Sequence, residues 1–305
     1  MRKATKAYYE YVVREGYEGS IESYLKDNFN YSGRVITRNK KEGYLRLNGK
    51  DVYFKELCKG GDVISLCFAG EYPDCDAVDI PLDIIHEDDD VIVINKSPNT
   101  VVHPTKSHQT DTLANAIYYH WEKIRHTGKV RFVNRLDMDT SGIVIGAKNK
   151  YVHHYIQAQS MENITEKFYY AIVKGVLPDD SGLIDAPIIR EEEFGLTRIV
   201  REDGDPSQTV YEVVERFKNH TLLKLKLLTG RTHQIRVHLK HIGYPIIGDF
   251  LYFPEENPYM SRQALHAASF SFFHPRTSVR VTYTAPMPED MKNAIEMMRK
   301  EREEE

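Results

Sequence analysis

Apolar positions repeat along the chain in two periods. From Ser20, the residues Ile21, Tyr24, Leu25 and Phe29 fall at helical spacing and predict a short helix. A turn at Tyr31-Ser32-Gly33 leads into a second segment running to Lys41. Tyr44 to Val52 then reads as strand, turn and strand, because Asn48-Gly49 supplies the two positive-φ positions of a tight hairpin. Gly60-Gly61-Asp62 forms a turn into one more strand beginning at Val63. Further on, Val91–Ile94 and Ile143–Ile145 are short apolar runs suited to buried strands. Leu113, Ala116, Ile117, Trp121 and Ile124 mark the face of a helix for which Asp111 is the expected cap, and a further helix is expected over about 150–161. Tyr169–Val173 and Leu223–Leu227 alternate as half-buried strands do. Strands outnumber helices and are not evenly interleaved with them. The expected class is therefore α+β, a mainly antiparallel mixed sheet preceded by a small α+β module.

Composition narrows this picture. At 305 residues the chain suits one large domain plus a small one, and 41% hydrophobic content is ordinary for a globular protein. No apolar run approaches the roughly 18 residues of a membrane span, so no membrane partner is expected. Cys58, Cys67 and Cys75 form no C-x-x-C pair, which suggests neither a disulfide framework nor a zinc knuckle. The basic start lacks the apolar stretch of a secretory signal, and a cytoplasmic location is the expectation. Residues 71–90 hold nine acidic residues and no Lys or Arg, which suggests an acidic linker and lead-in segment. The expected division is a module at 1–70, that linker at 71–90, a main domain at 91–288 and a charged tail at 289–305. The net charge of −4 at first disfavours nucleic acid. By segment it divides into +4 for 1–70, −9 for 71–90, +4 for 91–288 and −3 for the tail, so both larger units are positive.

Two segments carry candidate chemistry. Asn134-Arg135-Leu136-Asp137-Met138-Asp139-Thr140-Ser141-Gly142 packs two carboxylates, a guanidinium and hydroxyls into a loop that delivers the chain into a core strand. The simplest structural account is a turn in which Asp137 caps and Asp139 pairs with Arg135. In the second, Thr229-Gly230-Arg231-Thr232 precedes a helix expected from about Thr232 to Gly243, with His233, Arg236 and Lys240 on one face. That face suits phosphates or a carboxylate partner. A zinc site built from His233, His238 and His241 lacks i, i+4 spacing and a nearby Cys or Glu, so no metal is expected.

RLDMDTSG, then Lys167-x-Tyr169-x-Ala171, then TGRTHQIRVHL followed by GYPIIGD resemble, in order, the landmarks of the RluA-type RNA pseudouridine synthases. IPLDIIHEDDDVIVINK, LIDAPI, TVYEVVERF, LHAASFSFFHP and APMP agree, so the resemblance covers about residues 80–290. Residues 18–68 resemble, less specifically, the small RNA-binding module named for ribosomal protein S-four. The resemblance implies an enzyme that isomerises uridine in RNA, with no cofactor, because the reaction is an internal rearrangement. Asp137 would be the essential carboxylate, attacking the anomeric carbon, adding to carbon 6 or abstracting a ribose proton. Tyr169 would stack on the base and assist proton removal, and Arg236 would ion-pair with Asp137 and favour its charged form. Arg135 would fill the helix or touch the flipped nucleotide, with Arg231, His233, Lys167 and Asn134 as further RNA contacts. Large-subunit ribosomal RNA is the first expected partner and transfer RNA the second, bound by a monomer.

The chain departs from the family pattern in places. Asn134 stands where His is usual, Asn95-Lys96-Ser97-Pro98-Asn99 replaces a glycine-containing turn, and Gly204-Asp205 replaces Gly-Lys. Asn99 can adopt the left-handed conformation that Gly would supply. A non-catalytic RNA-binding factor is the alternative, although it would be expected to lose Asp137 or Arg236. A glycosidase would need a second carboxylate, for which Asp139 is the nearest candidate.

Overall fold

The computed structural model describes residues 3–193 and 195–303; of these, the side chains of Arg38, Lys41, Glu42, Arg302 and Glu303 are not described. The N-terminal part comprises β1 (Ala7–Val12), β2 (Glu18–Ser20), α1 (Ile21–Phe29), α2 (Gly33–Glu42), β3 (Tyr44–Leu47), β4 (Lys50–Asp51), β5 (Leu57–Lys59) and β6 (Val63–Phe68). Ser20 and Ser32 cap the two helices by accepting from the backbone N–H three residues on. Asn48 and Gly49 both take positive φ, as the hairpin between β3 and β4 requires. Strands β1, β6, β3 and β4 form one antiparallel sheet, and β2 pairs with β5.

The main part follows with β7 (Ile84–Glu87), β8 (Val91–Lys96), α3 (Leu113–Lys123), β9 (Arg131–Phe132), β10 (Ser141–Ala147) and α4 (Lys150–Met161). Then come β11 (Glu166–Lys174), β12 (Ser181–Asp185), β13 (Ile188–Arg190), β14 (Arg198–Val200), β15 (Gln208–Arg216) and β16 (His220–Leu227). The chain ends in α5 (Gln234–His241), β17 (Leu265–Phe273), β18 (Arg280–Thr284) and α6 (Glu289–Glu303). Ten strands build one sheet in the order β12-β15-β16-β11-β17-β10-β8-β7, with β18 beside β17 and β9 beside β10. Its pairings are antiparallel except for β10 against β17. The α+β expectation holds.

Three expectations change. Thr112, not Asp111, caps α3, forming a reciprocal box with Asn115, while Asp111 turns outward to His108. The acidic segment is not linker throughout: its later, lead-in part is β7, at the edge of the large sheet. Residues 289–303 are more than a charged tail, because α6 buries Met291, Ala294, Ile295 and Met298 against the core formed with β11 and β16. Glu304 and Glu305 lie outside the described residues.

The N-terminal module packs on the main part through a shared core that holds Tyr9, Tyr11, Tyr31, Tyr151 and Phe270. Tyr31 stacks on Tyr151 at 4.2 Å. Tyr9 donates to Asp90 at 2.6 Å and accepts from Asn149 at 2.8 Å, while Arg276 grips Asp90 and the Tyr8 carbonyl. Cys58 and Cys67 are buried and Cys75 is half-buried, all as free thiols.

Candidate active site

The loop 134–140 is delivered to its place by the β10–β17 pairing. Gly142 sits at φ +113°, and a Cβ there would lie 2.2 Å from the Ala267 carbonyl oxygen. Only glycine permits that approach. Opposite, the β11–β17 register slips between Phe168 and Tyr169. This bulge re-aims the β11 side chains at the point where Tyr169 projects.

Asp137 and Arg236 meet here across 99 residues of sequence. Arg236 Nη1 donates to Asp137 Oδ2 at 2.8 Å. Its other edge donates twice to Asp249, Nε to Oδ2 and Nη2 to Oδ1, both at 2.7 Å. Asp249 is 1% exposed and also accepts the backbone N–H groups of Leu251 and Tyr252. Burial works against the Arg236 charge, but Asp249 and then Asp137 outweigh it and raise its pKa. The guanidinium is therefore a permanent, doubly anchored cation. It turns inward to carboxylates, and of the two partners open to the helix face, the carboxylate is realised.

Tyr169 is buried, and its hydroxyl makes no hydrogen bond among the described residues. Burial first, and the Asp137 charge second, push its pKa up, so it stays a neutral phenol. His233 precedes α5 with φ +57° and offers no side-chain cap. Its Nδ1 lies 2.9 Å from the Tyr252 hydroxyl, which accepts from the Arg198 N–H, and its Nε2 lies 3.8 Å from Asp137 Oδ1. If that hydroxyl donates to Nδ1, the remaining proton sits on Nε2, facing Asp137. Burial lowers the His233 pKa against the opposing pull of Asp137.

Arg135 is exposed and forms no ion pair among the described residues, so the expected Asp139–Arg135 pair is absent there. Lys167 is half-buried with its ammonium 5.3 Å from the Phe270 ring centroid. Arg231 is exposed and faces Asp205 at 3.7 Å. Asn134 is different from the expectation of an RNA contact: its amide donates to the Ile143 carbonyl at 2.8 Å and accepts from the Ile145 N–H at 2.9 Å. Both polar ends are used to brace β10. His238 is likewise engaged at both nitrogens, by Thr209 and the Ala186 carbonyl.

The chain is similar to known proteins over most of its length. The sequence profile of the RNA pseudouridylate synthase family matches residues 90–241. The chain is 38% identical over 289 residues to the uncharacterized RNA pseudouridine synthase YlyB of Bacillus subtilis, covering 92% of this chain and 94% of that one. It is 40% identical over 240 residues to ribosomal large subunit pseudouridine synthase D of Pseudomonas aeruginosa, covering 74% and 75%. The chain belongs to the RluA-type RNA pseudouridine synthase family. It is accordingly an isomerase acting on RNA. The fold agrees: human RNA Pseudouridylate Synthase Domain Containing 4 superposes with a TM-score of 0.59 at 21% identity, covering 71% of this chain and 93% of that one.

Sequence reasoning about this synthase missed Asp249 and Tyr252. The available signal was Gly248-Asp249, a turn whose glycine needs φ +72°. Placed after a helix carrying Arg236, it offered a carboxylate at short range. Tyr252 carried no such signal. Its ring lies under both Arg236 and Lys240, at 4.9 and 5.7 Å, which only the folded 249–253 turn brings about.

Proposed function

We propose that this synthase isomerises uridines in large-subunit ribosomal RNA, with Asp137 as the catalytic carboxylate, Arg236 as its partner and Tyr169 as the residue against the uracil. The observation that carries the reading is the 2.8 Å Arg236–Asp137 ion pair, assembled from two distant motifs. The target RNA is supported by the name of the Pseudomonas relative.

The bond from uracil N1 to the ribose breaks, the uracil turns over, and carbon 5 bonds to the anomeric carbon; the proton carbon 5 gives up is balanced by one gained at N1, so the product is an isomer. Asp137, held charged and aimed by Arg236, is suited to meet the anomeric carbon, carbon 6 or a ribose proton. Tyr169 offers a ring to the base and a hydroxyl near the departing proton. The target base must leave its stack, at a cost of a few kcal/mol regained through stacking and phosphate contacts. Arg135, exposed on the same loop, is positioned by sequence to take the vacated space or a phosphate. The N-terminal module, resembling the ribosomal protein S-four type, supplies a second RNA contact.

The test incubates the protein with RNA from a strain lacking it and maps pseudouridine at single-nucleotide resolution. Restored sites in large-subunit RNA, lost with Asp137→Ala, are expected. Sites confined to transfer RNA would move the substrate. Asp137→Ala activity equal to wild type would overturn the residue assignment.

A further inference from the structure

Between the N-terminal module and the main part lies an open cavity of about 920 Å³. That is the size of a small-molecule site, and close packing of the two parts would leave no comparable gap. One wall is the first turn of α2, from Ser32 to Val35, and a second is the first turn of α4, with Lys150, His153 and His154. Ser32 and Asn149 each accept one N–H of their own helix, three residues on. The other first-turn N–H groups have no intrahelical acceptor, so both helix starts present partial positive charge to the same space. Arg34 is exposed there and pairs with no carboxylate among the described residues. Glu71, held by Lys150 and Arg131, is the one acidic residue of the lining among the described residues.

A second observation points to a ligand. Asn39, 3% exposed, also lines the cavity. Its Nδ2 donates to the Cys67 carbonyl at 2.9 Å, while Oδ1, the edge left toward the cavity, has no hydrogen-bond partner among the described residues. Buried acceptors are seldom left unpaired in native proteins, so a donor from outside the chain is its natural complement. Phe68, half-buried on the same lining, adds an aromatic surface. We infer that this cavity binds a single nucleotide, its phosphate against the starts of α2 and α4 and its base beside Phe68, donating an N–H to Asn39 Oδ1. Each of the four bases carries an N–H on its pairing edge, so the site takes a nucleotide and not one base alone. An inorganic anion would leave Asn39 and Phe68 unused, and an uncharged aromatic would leave Arg34 and the helix starts unused.

This site is separate from the catalytic one. β10 starts at Ser141, beside the Asp137 loop, and ends at Ala147, just before α4, a strand length of about 20 Å. The nucleotide held here is therefore not the uridine that reacts, whatever the role of Asp137. It belongs either to the substrate RNA, at a position distant from the target, or to the free nucleotides in solution.

Gly33→Glu tests the site without disturbing the fold. A Cβ at Gly33 meets nothing within 4 Å, and an acidic side chain in a first turn favours its helix, which thermal unfolding checks. The new carboxylate stands where the phosphate would lie. Wild type, Gly33→Glu and Arg34→Ala are titrated with adenosine and uridine 5′-monophosphates, with inorganic phosphate and with an RNA transcript. Wild type is expected to bind the nucleotides roughly 10-fold more tightly than phosphate, with binding weakened in Arg34→Ala and lost in Gly33→Glu. If the RNA supplies the nucleotide, Gly33→Glu also weakens transcript binding roughly 10-fold, and free nucleotides compete with the transcript. The single-turnover rate at saturating RNA then stays within about twofold of wild type, because the reacting uridine lies elsewhere. If the ligand is a free nucleotide, transcript affinity is unchanged and no competition is seen. A folded Gly33→Glu that matches wild type toward nucleotides and transcript alike would overturn the site, and so would phosphate binding as tightly as the nucleotides. Transcript binding weakened in Gly33→Glu, with no nucleotide affinity in wild type, would overturn it too, since charge repulsion alone accounts for that result.

Discussion

At the scale of single residues, the site is a chain of charges, Asp137–Arg236–Asp249, in which the last member is deepest. Removing one partner of a buried ionic set leaves the other uncompensated and typically costs about 3–5 kcal/mol. Asp249→Asn keeps the shape and the acceptor for the Leu251 and Tyr252 N–H groups, so its stability loss should be smaller, about 1–3 kcal/mol. Its effect on turnover should be larger, because Arg236 is freed to rotate away from Asp137. We expect the rate to fall roughly 100-fold with RNA affinity nearly unchanged, measured by single-turnover kinetics beside thermal unfolding. A wild-type rate would show that Arg236 needs only one anchor. Asp137 and Arg236 were legible only through the family resemblance of their motifs, since composition alone favoured a structural turn at 134–142. Asp249 was not, because its role depends on which face of α5 turns inward. Asn134 misled for the opposite reason: its position beside the key carboxylate suggested RNA, while its amide serves the backbone of β10.

Elements were legible where one period dominated. The helix expected at 150–161 matches α4 from Lys150 to Met161, and the buried runs at 91–94 and 143–145 lie within β8 and β10. The C-terminal element was misread because its charges outnumber its apolar residues. Yet Met291, Ala294, Ile295 and Met298 recur at i, i+3, i+4 and i+7, which is a helix face with a core to cover. Strand pairing was less accessible still. The parallel β10–β17 contact joins residues more than a hundred positions apart, and its only local trace is Gly142. If α6 is structural, Met291→Ala, at a fully buried position, should lower the unfolding free energy by about 2–5 kcal/mol in chemical denaturation. A change below about 0.5 kcal/mol, the level of an ordinary surface substitution, would return the helix to the status of a tail.

Across the whole molecule, the acidic segment changes what net charge means. Its carboxylates are spent on the main part: Glu71 pairs with Arg131 and Lys150, Asp74 with Lys129, Glu87 with Lys148, and Asp90 with Arg276. Those five cations exceed the main part's positive excess of four, so division by segment overstated the charge it presents to RNA. Attraction to phosphate must then come from local groups left unpaired, of which Arg135 lies closest in sequence to Asp137. Each phosphate neutralised contributes about 0.7–0.9 to the slope of log affinity against log salt. With so small a net charge on each unit, few phosphates should be neutralised, giving a slope of magnitude below about 5, and Arg135→Ala should reduce it by about 1 while weakening binding. Titration of the transcript over a range of salt concentrations measures both. A slope near 10 would mean an extended basic track along the surface. An unchanged slope in Arg135→Ala, with turnover reduced, would place that side chain in the vacated base stack and off the phosphates. Salt-independent affinity would remove electrostatics from recognition altogether and leave shape and stacking to carry it.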